Sequence, residues 1–168
     1  MLFYTTGNSG GGDAMFMAAA QTRKEEIENN SNFNRKKDIV IMQDFKDVSE
    51  ISNLVESIVD QYSEEFGKTQ EFAVWSHAGL DGPTGTVSAS QNAVDLNQMT
   101  LQGWSEINFN WESNASAAFY GCNTGVDKGN GSFASNISEL ANFKGVMVAG
   151  QTNKAYPSSC TNRRIVNV

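Results

Sequence analysis

The sequence predicts an α/β fold, a three-layer sandwich in which helices cover both faces of a mostly parallel central sheet. Short apolar runs alternate repeatedly with helix-like segments, a pattern typical of strands joined by helical crossovers. The chain has 168 residues, which corresponds to about one domain with a substantial core. We therefore expect residues 1–168 to form a single domain, either a complete small protein or a domain excised from a longer one.

The beginning of the chain predicts two strands separated by a helix. Residues 2–5 are strand-like, and the glycine-rich residues 7–12 follow as a loop. Residues 14–28 are rich in alanine, methionine and glutamate, which favour a helix, and Asp13 is placed to cap it. The apolar residues 38–42 then predict a buried strand.

The next helix has the clearest apolar face in the sequence. Asp47 and Glu50 have the spacing of a capping box at its start, and Gly67 supplies the stop at its end. The apolar residues recur at helical spacing. They are Val48, Ile51, Leu54, Val55, Ile58, Val59, Tyr62 and Phe66.

The rest of the chain continues the alternation of strands and helices, with a polar, turn-rich stretch over residues 80–97. The predicted elements are a strand over 72–76, a helix over 96–111, a strand over 117–120, a helix over 132–143, a strand over 145–149 and a last strand over 164–168.

Composition excludes several classes of function. A net charge of −7 argues against a protein that binds nucleic acid through its phosphates. We expect no membrane span, because no segment reaches about 18 consecutive apolar residues. The two cysteines are too few for a disulfide framework, although a bridge between Cys122 and Cys160 stays open. One histidine and two distant cysteines give no metal-ligand spacing.

The only histidine and one cysteine both follow strand-like runs. His77 ends one run, and Cys122 ends another 45 residues later (122 − 77). The carboxyl ends of parallel strands share one edge of a sheet, so we expect the two side chains to meet there. A cysteine nucleophile needs a nearby base, and His77 has no rival histidine. The sequence thus predicts a Cys122–His77 catalytic dyad, with backbone amides of Ala78, Gly79 and Gly121 stabilising an oxyanion.

The phrase Ser76-His77-Ala78-Gly79 after one strand, followed by Gly121-Cys122 after another, resembles the layout of the caspase-like (clan CD) cysteine peptidases. In that family the histidine ends the third core strand and the cysteine ends the fourth, about 50 residues apart in caspases. The resemblance covers nearly the whole chain by topology, and by sequence it rests on residues 72–79 and 119–125. It implies a caspase–hemoglobinase fold and a cysteine endopeptidase.

Two departures from the family's pattern exclude a true caspase, so the resemblance is to a divergent member. Ala78 stands between His77 and Gly79, where the family has glycine directly after histidine. Gly125 follows Cys122 by three residues instead of the two found in caspases. The phrases around both residues also look like the toxin domains of secreted bacterial effectors. No signal sequence is recognisable, and the localisation stays open between the cytoplasm and export by a non-classical bacterial system.

The resemblance also implies where a substrate binds. The specificity pocket in such folds lies near the first strand, the cysteine loop and the segment after the last core strand. These positions contain no arginine, which disfavours cleavage after aspartate, and Lys154 is the nearby cation. The implied partners are a protein or peptide substrate and an inhibitor or immunity protein, with no cofactor. The implied contacts are Asp13, Asp44, Asn123, Gln151, Thr152, Tyr156 and Ser158.

Three other functions remain open from the residues alone. The same dyad would serve an amidase or acyltransferase acting on a non-protein amide. The irregular His77-Ala78-Gly79 phrase is compatible with a catalytically inactive interaction module. The loop over residues 7–12 is placed for phosphate binding before a helix, but its spacing matches neither a dinucleotide nor a P-loop motif.

Overall fold

The computed structural model describes residues 1–7, 12–85, 99–157 and 165–167. A five-stranded parallel sheet forms its centre, and helices flank the sheet, so the predicted three-layer α/β sandwich is confirmed. The strands are β1 (Leu2–Thr5), β2 (Met42–Phe45), β3 (Thr69–Trp75), β4 (Ala78–Gly79), β5 (Gly82–Pro83), β6 (Trp111–Tyr120), β7 (Met147–Gly150), β8 (Ala155–Pro157) and β9 (Ile165–Asn167). The helices are α1 (Asp13–Glu28), α2 (Glu50–Phe66), α3 (Leu101–Ser105) and α4 (Phe133–Ser138), with a 3-10 turn at Ala141–Phe143.

The central sheet has the strand order β2-β1-β3-β6-β7. Two small antiparallel pairs, β4 with β5 and β8 with β9, lie outside it. The order reverses between β1 and β3, and in open α/β sheets ligands bind beside the carboxyl ends of the strands at such a reversal. The topology therefore marks the carboxyl edge near β1 and β3 as the place to look for a site.

Each face of the sheet packs against its own set of helices. Side chains alternate between the faces along a strand. Phe72 and Val74 of β3 join the core beneath α2, α3 and α4, whereas Ala73 and Trp75 join the smaller core beneath α1. Burial on both faces explains why β3 ends in a continuous apolar run.

Aromatic rings fill the larger core. Phe72 lies at its centre, with ring centroids 4.8 Å from Phe109, 5.3 Å from Phe3 and 6.2 Å from Phe119. Trp104 of α3 packs edge-on against Phe119 at 5.4 Å, which ties this short helix to the sheet. The core therefore anchors β3 and β6, the two strands that precede His77 and Cys122.

The predicted second strand is displaced along the chain. The prediction of residues 38–42 was wrong, because β2 runs over Met42–Phe45. Among the described strands it pairs only with β1, at the edge of the sheet, and its residue Asp44 is exposed while Phe45 enters the core. The apolar residues just before it are half-buried or exposed, with Ile39 40% exposed. With two polar residues at its centre, this edge strand lacks the continuous apolar run on which the prediction relied.

The starts of both long helices differ from the predicted caps. Gly12, with a φ of 106°, is the residue before α1, so Asp13 is its first residue and lies in the first turn. A carboxylate there is favourable beside the positive end of the helix dipole. The predicted capping box of α2 is also wrong, because the helix follows Ser49 without a side-chain cap. The Glu50 carboxylate instead accepts a hydrogen bond from the Lys46 backbone at 3.1 Å.

The second half contains one long strand and shorter helices than predicted. The helix predicted over 96–111 is α3 alone among the described residues, and Trp111 already belongs to β6. Asn110, with a φ of 50°, makes the turn between them. The helix predicted over 132–143 begins after Ser132, which caps it, and it breaks at Leu140, whose backbone is extended. The last predicted strand is confirmed as β9, which pairs with β8.

Replacing Phe72 tests whether the aromatic core holds the sheet together. We expect Phe72→Ala to lower the free energy of unfolding by about 3–5 kcal/mol, because it removes the ring at the centre of the cluster. Chemical denaturation measures the change. Phe33→Ala, at a half-buried position in the loop after α1, is the matched control and should cost less than about 1.5 kcal/mol. Equal losses in the two variants would contradict this description of the core.

Candidate active site

The pairing of β3 with β6 brings His77 and Cys122 to the same edge of the sheet. Trp75 and Tyr120 are register partners at the ends of these neighbouring parallel strands. His77 and Cys122 each lie two residues beyond that pair. Neighbouring strands are about 4.8 Å apart, so the backbones that carry the imidazole and the thiol leave the sheet side by side.

A glycine contact fastens the two strand ends to each other. Gly121 is buried, and a Cβ added to it would collide with the Ala78 methyl group and stand 3.1 Å from the Ser76 carbonyl oxygen. Only glycine allows the backbone before Cys122 to approach the backbone after His77 this closely. Ala78, which stands between His77 and Gly79, thus has a packing role: its methyl group occupies the space that Gly121 leaves.

The His77 side chain lies over the amino end of α1. Its ring meets the Phe16 ring edge-to-face, with centroids 5.1 Å apart and planes at 90°. A Cβ added to Gly12 would stand 3.6 Å from His77 Nε2. The imidazole is exposed, so a substrate can reach it, and Phe16 is buried and supplies a fixed surface for it.

A small hairpin fixes the backbone on the other side of His77. The Thr84 backbone donates to the His77 carbonyl oxygen at 2.8 Å, and the Ser76 hydroxyl donates to the same oxygen at 2.7 Å. The hairpin is formed by β4 and β5, and a Cβ on Gly82 within it would stand 2.5 Å from the Phe133 ring. Ser76 is buried and engaged with backbone, so its hydroxyl acts as a structural donor.

The hairpin register gives different directions to two of the three amides that were predicted for the oxyanion, those of Ala78 and Gly79. Ala78 lies opposite Pro83, and Gly79 lies opposite Gly82. The bond from Thr84 to His77 marks their pair as hydrogen-bonded, and such pairs alternate along an antiparallel ladder. Gly79 therefore directs its N–H across the hairpin toward Gly82. The Ala78 N–H points away from the partner strand, which makes it the better placed of the two.

The turn that carries Cys122 is tied to the segment after β7. Asn123, with a φ of 63°, donates from its backbone to the Asn153 carbonyl at 3.2 Å, and Gly125 donates to Gln151 at 2.8 Å. Cys122 is half-buried between these attachments and the end of β6. The thiol is thus held in a turn whose two sides belong to different parts of the chain.

Thr124 is the buried centre of this turn, and the sequence prediction overlooked it. Its hydroxyl lies 2.9 Å from the Phe119 carbonyl oxygen and 3.1 Å from that of Gly121, and it accepts from the Gln151 backbone at 2.9 Å. Threonine is one of the residue types whose side chain commonly bonds to nearby backbone, so its place in the glycine-containing turn was the available signal. Phe16 was overlooked as well, because nothing in the sequence links it to His77.

The implied substrate contacts fall into separate groups. Asn123, Gln151 and Thr152 lie at the cysteine turn, and Asp13 lies at the end of α1 that His77 covers. Asp44 was expected just after its strand, but it lies within β2, where its carboxylate accepts from Thr6 at 3.2 Å.

The other two implied contacts, Tyr156 and Ser158, belong to the end of the chain, as does Cys160. Tyr156 belongs to β8, which packs near α1. Ser158 and Cys160 lie outside the described residues, and so does the bridge considered between Cys160 and Cys122.

Tyr120 borders the site on the face of the sheet that α1 covers. Its ring stacks on Trp75 with centroids 4.8 Å apart and an interplanar angle of 18°. Burial raises the pKa of Tyr120, and the nearby Glu71 carboxylate adds to this, while Arg23 opposes it. Arg23 itself forms a half-buried ion pair with Glu71 at 2.5 Å. The stacked rings of Trp75 and Tyr120 therefore form an uncharged aromatic surface beside the strand ends at physiological pH.

A cavity of about 440 Å³ lies at the opposite edge of the sheet. Its size suits a small-molecule site. However, Met1 and Thr69, at the amino ends of β1 and β3, help to line it, and neither His77 nor Cys122 borders it. His77 and Cys122 thus lie at the carboxyl edge and this cavity at the amino edge, so the two are separate features.

Comparisons of this chain with protein-family models, curated proteins and solved structures find no match. No helix among the described residues is long and apolar enough to cross a membrane. Within the same residues, no group of three or more histidine, cysteine, aspartate or glutamate side chains is arranged to hold a metal ion.

Gly121→Ala tests the contact between the two strand ends. The added methyl group would overlap Ala78, so we expect the free energy of unfolding to fall by about 1–3 kcal/mol. The double variant Gly121→Ala with Ala78→Gly removes the opposing methyl group and should recover part of that loss. Denaturation of all four chains measures the coupling. A stable Gly121→Ala single variant would contradict the close contact.

The raised pKa of Tyr120 predicts a loss of stability in alkali. Unfolded tyrosine ionises near pH 10, whereas Tyr120 stays neutral in the fold to higher pH. Its contribution is therefore fully present below about pH 10 and is lost as the pH rises through the folded-state pKa. Urea denaturation between neutral and alkaline pH should show a shallower decline for Tyr120→Phe than for the wild type. The same decline in both chains would contradict the prediction.

Proposed function

We propose that this chain is a cysteine hydrolase that cleaves peptide bonds, with Cys122 as the nucleophile and His77 as the general base and acid. The observation that carries the proposal is the β3–β6 register, which sets both residues two positions beyond paired strand ends. His77 is the only histidine of the chain, so no other imidazole competes for the role. Cys122 is half-buried and His77 exposed, which suits a site open to a substrate.

In the proposed reaction, the Cys122 thiol gives its proton to the His77 imidazole, and the thiolate attacks the carbonyl carbon of the substrate. The carbonyl double bond opens to a tetrahedral oxyanion. As the oxyanion collapses, the bond to the amine breaks and the imidazolium gives its proton to the departing nitrogen. Water, deprotonated by His77, then attacks the thioester, which releases the acid and restores the thiol.

The oxyanion would be stabilised by backbone amides at the joined strand ends. The Ala78 N–H, directed away from the β4–β5 hairpin, is one proposed donor, and the amides at Gly121 and Cys122 are the others. The buried contact between Gly121 and Ala78 holds the two groups of donors close together. Fixed amides of this kind act best where charge develops in the transition state.

The sheet supports a caspase-like assignment at the level of layout. The order β2-β1-β3-β6-β7 is wholly parallel, His77 follows the third of its strands along the chain, and Cys122 follows the fourth. This is the arrangement that the sequence resemblance implies. We extend the proposal to a divergent bacterial effector or toxin domain whose partners are a protein substrate and an inhibitor or immunity protein.

Labelling with a peptide that carries a thiol-reactive electrophile tests the proposed dyad. We expect the wild type and Cys160→Ser to react alike, and Cys122→Ala to give no adduct. His77→Ala should react about 100-fold more slowly or worse, because it lacks the base. The position of the adduct is read by mass spectrometry after digestion.

Two outcomes would overturn the proposal. Equal labelling of the wild type and His77→Ala would show that the thiolate does not depend on the imidazole. An adduct confined to Cys160 would remove Cys122 from the chemistry. His77-dependent labelling without cleavage of any peptide library would instead favour an amidase or acyltransferase that uses the same dyad.

A further inference from the structure

We propose that Thr124 is a positioning residue for the thiol, and that its hydroxyl fixes the turn in which Cys122 faces His77. This inference rests on the proposed function. Thr124 is fully buried, and its hydroxyl contacts three backbone groups: the carbonyls of Phe119 and Gly121 and the N–H of Gln151. No valine or alanine could make these contacts, because they need a donor and an acceptor on one atom.

These contacts join the backbone that precedes Cys122 to the segment that follows β7. The Phe119 and Gly121 carbonyls belong to the backbone that leads into Cys122, at 2.9 and 3.1 Å from the hydroxyl. Gln151 belongs to the segment after β7, which also accepts from Gly125. Thr124 is thus the side chain that links the end of β6 to this segment across the turn.

The backbone of Thr124 adds a link to a helix. Its carbonyl oxygen accepts from the Ala134 N–H at 2.9 Å, which ties the turn to the start of α4. On the other side, the Phe16 ring contacts the His77 ring and the β4–β5 hairpin binds the His77 carbonyl. The direction of the thiol relative to the imidazole therefore depends on how both segments are held, and Thr124 anchors the one that carries Cys122.

The test measures peptide-electrophile labelling of Cys122 at several concentrations, so that the maximal rate and the half-saturating concentration are obtained separately. The variants are Thr124→Val, which keeps the shape, Thr124→Ala, and Thr124→Ser, which keeps the hydroxyl. Thr22→Val is the matched control, because Thr22 is also buried and its hydroxyl donates to a backbone carbonyl, Ala18, at 2.9 Å in α1. Thermal melting shows the folded fraction of each variant.

We expect Thr124→Val to lower the maximal rate about 10- to 100-fold, the size of effect that a misplaced reacting group produces. The half-saturating concentration should change little. Thr124→Ser should restore most of the rate, and Thr22→Val should label like the wild type even where its melting temperature falls. If Thr124→Val does not fold, Thr124→Ser should still react faster than Thr124→Ala at an equal folded fraction.

Several results would overturn the inference. Wild-type labelling by Thr124→Val, or equal rates for the serine and alanine variants, would show that the hydroxyl does not position the thiol. A loss that Thr22→Val shares would indicate general destabilisation instead. These results leave the proposed function standing if His77→Ala remains slow. If His77→Ala labels like the wild type, the proposed function fails and the role of Thr124 fails with it.

Discussion

The parallel pairing of β3 with β6 is the constraint on which the rest of the structure depends. It joins Thr69–Trp75 to Trp111–Tyr120, two stretches far apart in the chain, and sends both out of the sheet at the same edge. Phe72 and Phe119 secure the pair from one face, and Trp75 and Tyr120 stack on the other. A shift of β6 by one residue along β3 would move Phe119 and Tyr120 to the opposite faces of the sheet. The packing therefore fixes where His77 and Cys122 emerge.

A small residue and buried hydroxyls then fix the backbone around the two strand ends at this common edge. Gly121 lets the two strand ends touch, and the Ser76 hydroxyl is bonded to the backbone next to His77. Thr124 does the same on the cysteine side, where its partner Gln151 comes from beyond β7. Both the Ser76 and the Thr124 hydroxyls are buried, and each is bonded to backbone groups, which offsets the cost of burying them. The site thus rests on short, local contacts that the larger aromatic core brings together.

Much of the fold could be predicted from the sequence because local signals agree with the tertiary structure. The first strand, Leu2–Thr5, and the end of α2 at Gly67 were predicted correctly, since a short apolar run and a glycine stop can both be read in the sequence. The second strand was misplaced because β2 is an edge strand whose exposed residues are polar. His77 and Cys122 could be singled out by residue type and position. Thr124 and Phe16 could not, because their roles depend on partners from distant parts of the chain.

A thiol trap measures most directly whether the β3 and β6 ends place His77 beside Cys122. His77→Cys in a Cys160→Ser background leaves thiols at positions 77 and 122, and a disulfide forms only if their β-carbons come within about 4.5 Å. The account predicts a disulfide on mild oxidation of the folded protein, read by mass and by loss of both thiols. Glu112→Cys in the same background is the control, about 30 Å from Cys122 along β6. Failure of the position 77 thiol to form the bond, or bonding of both variants alike, would contradict the shared crevice.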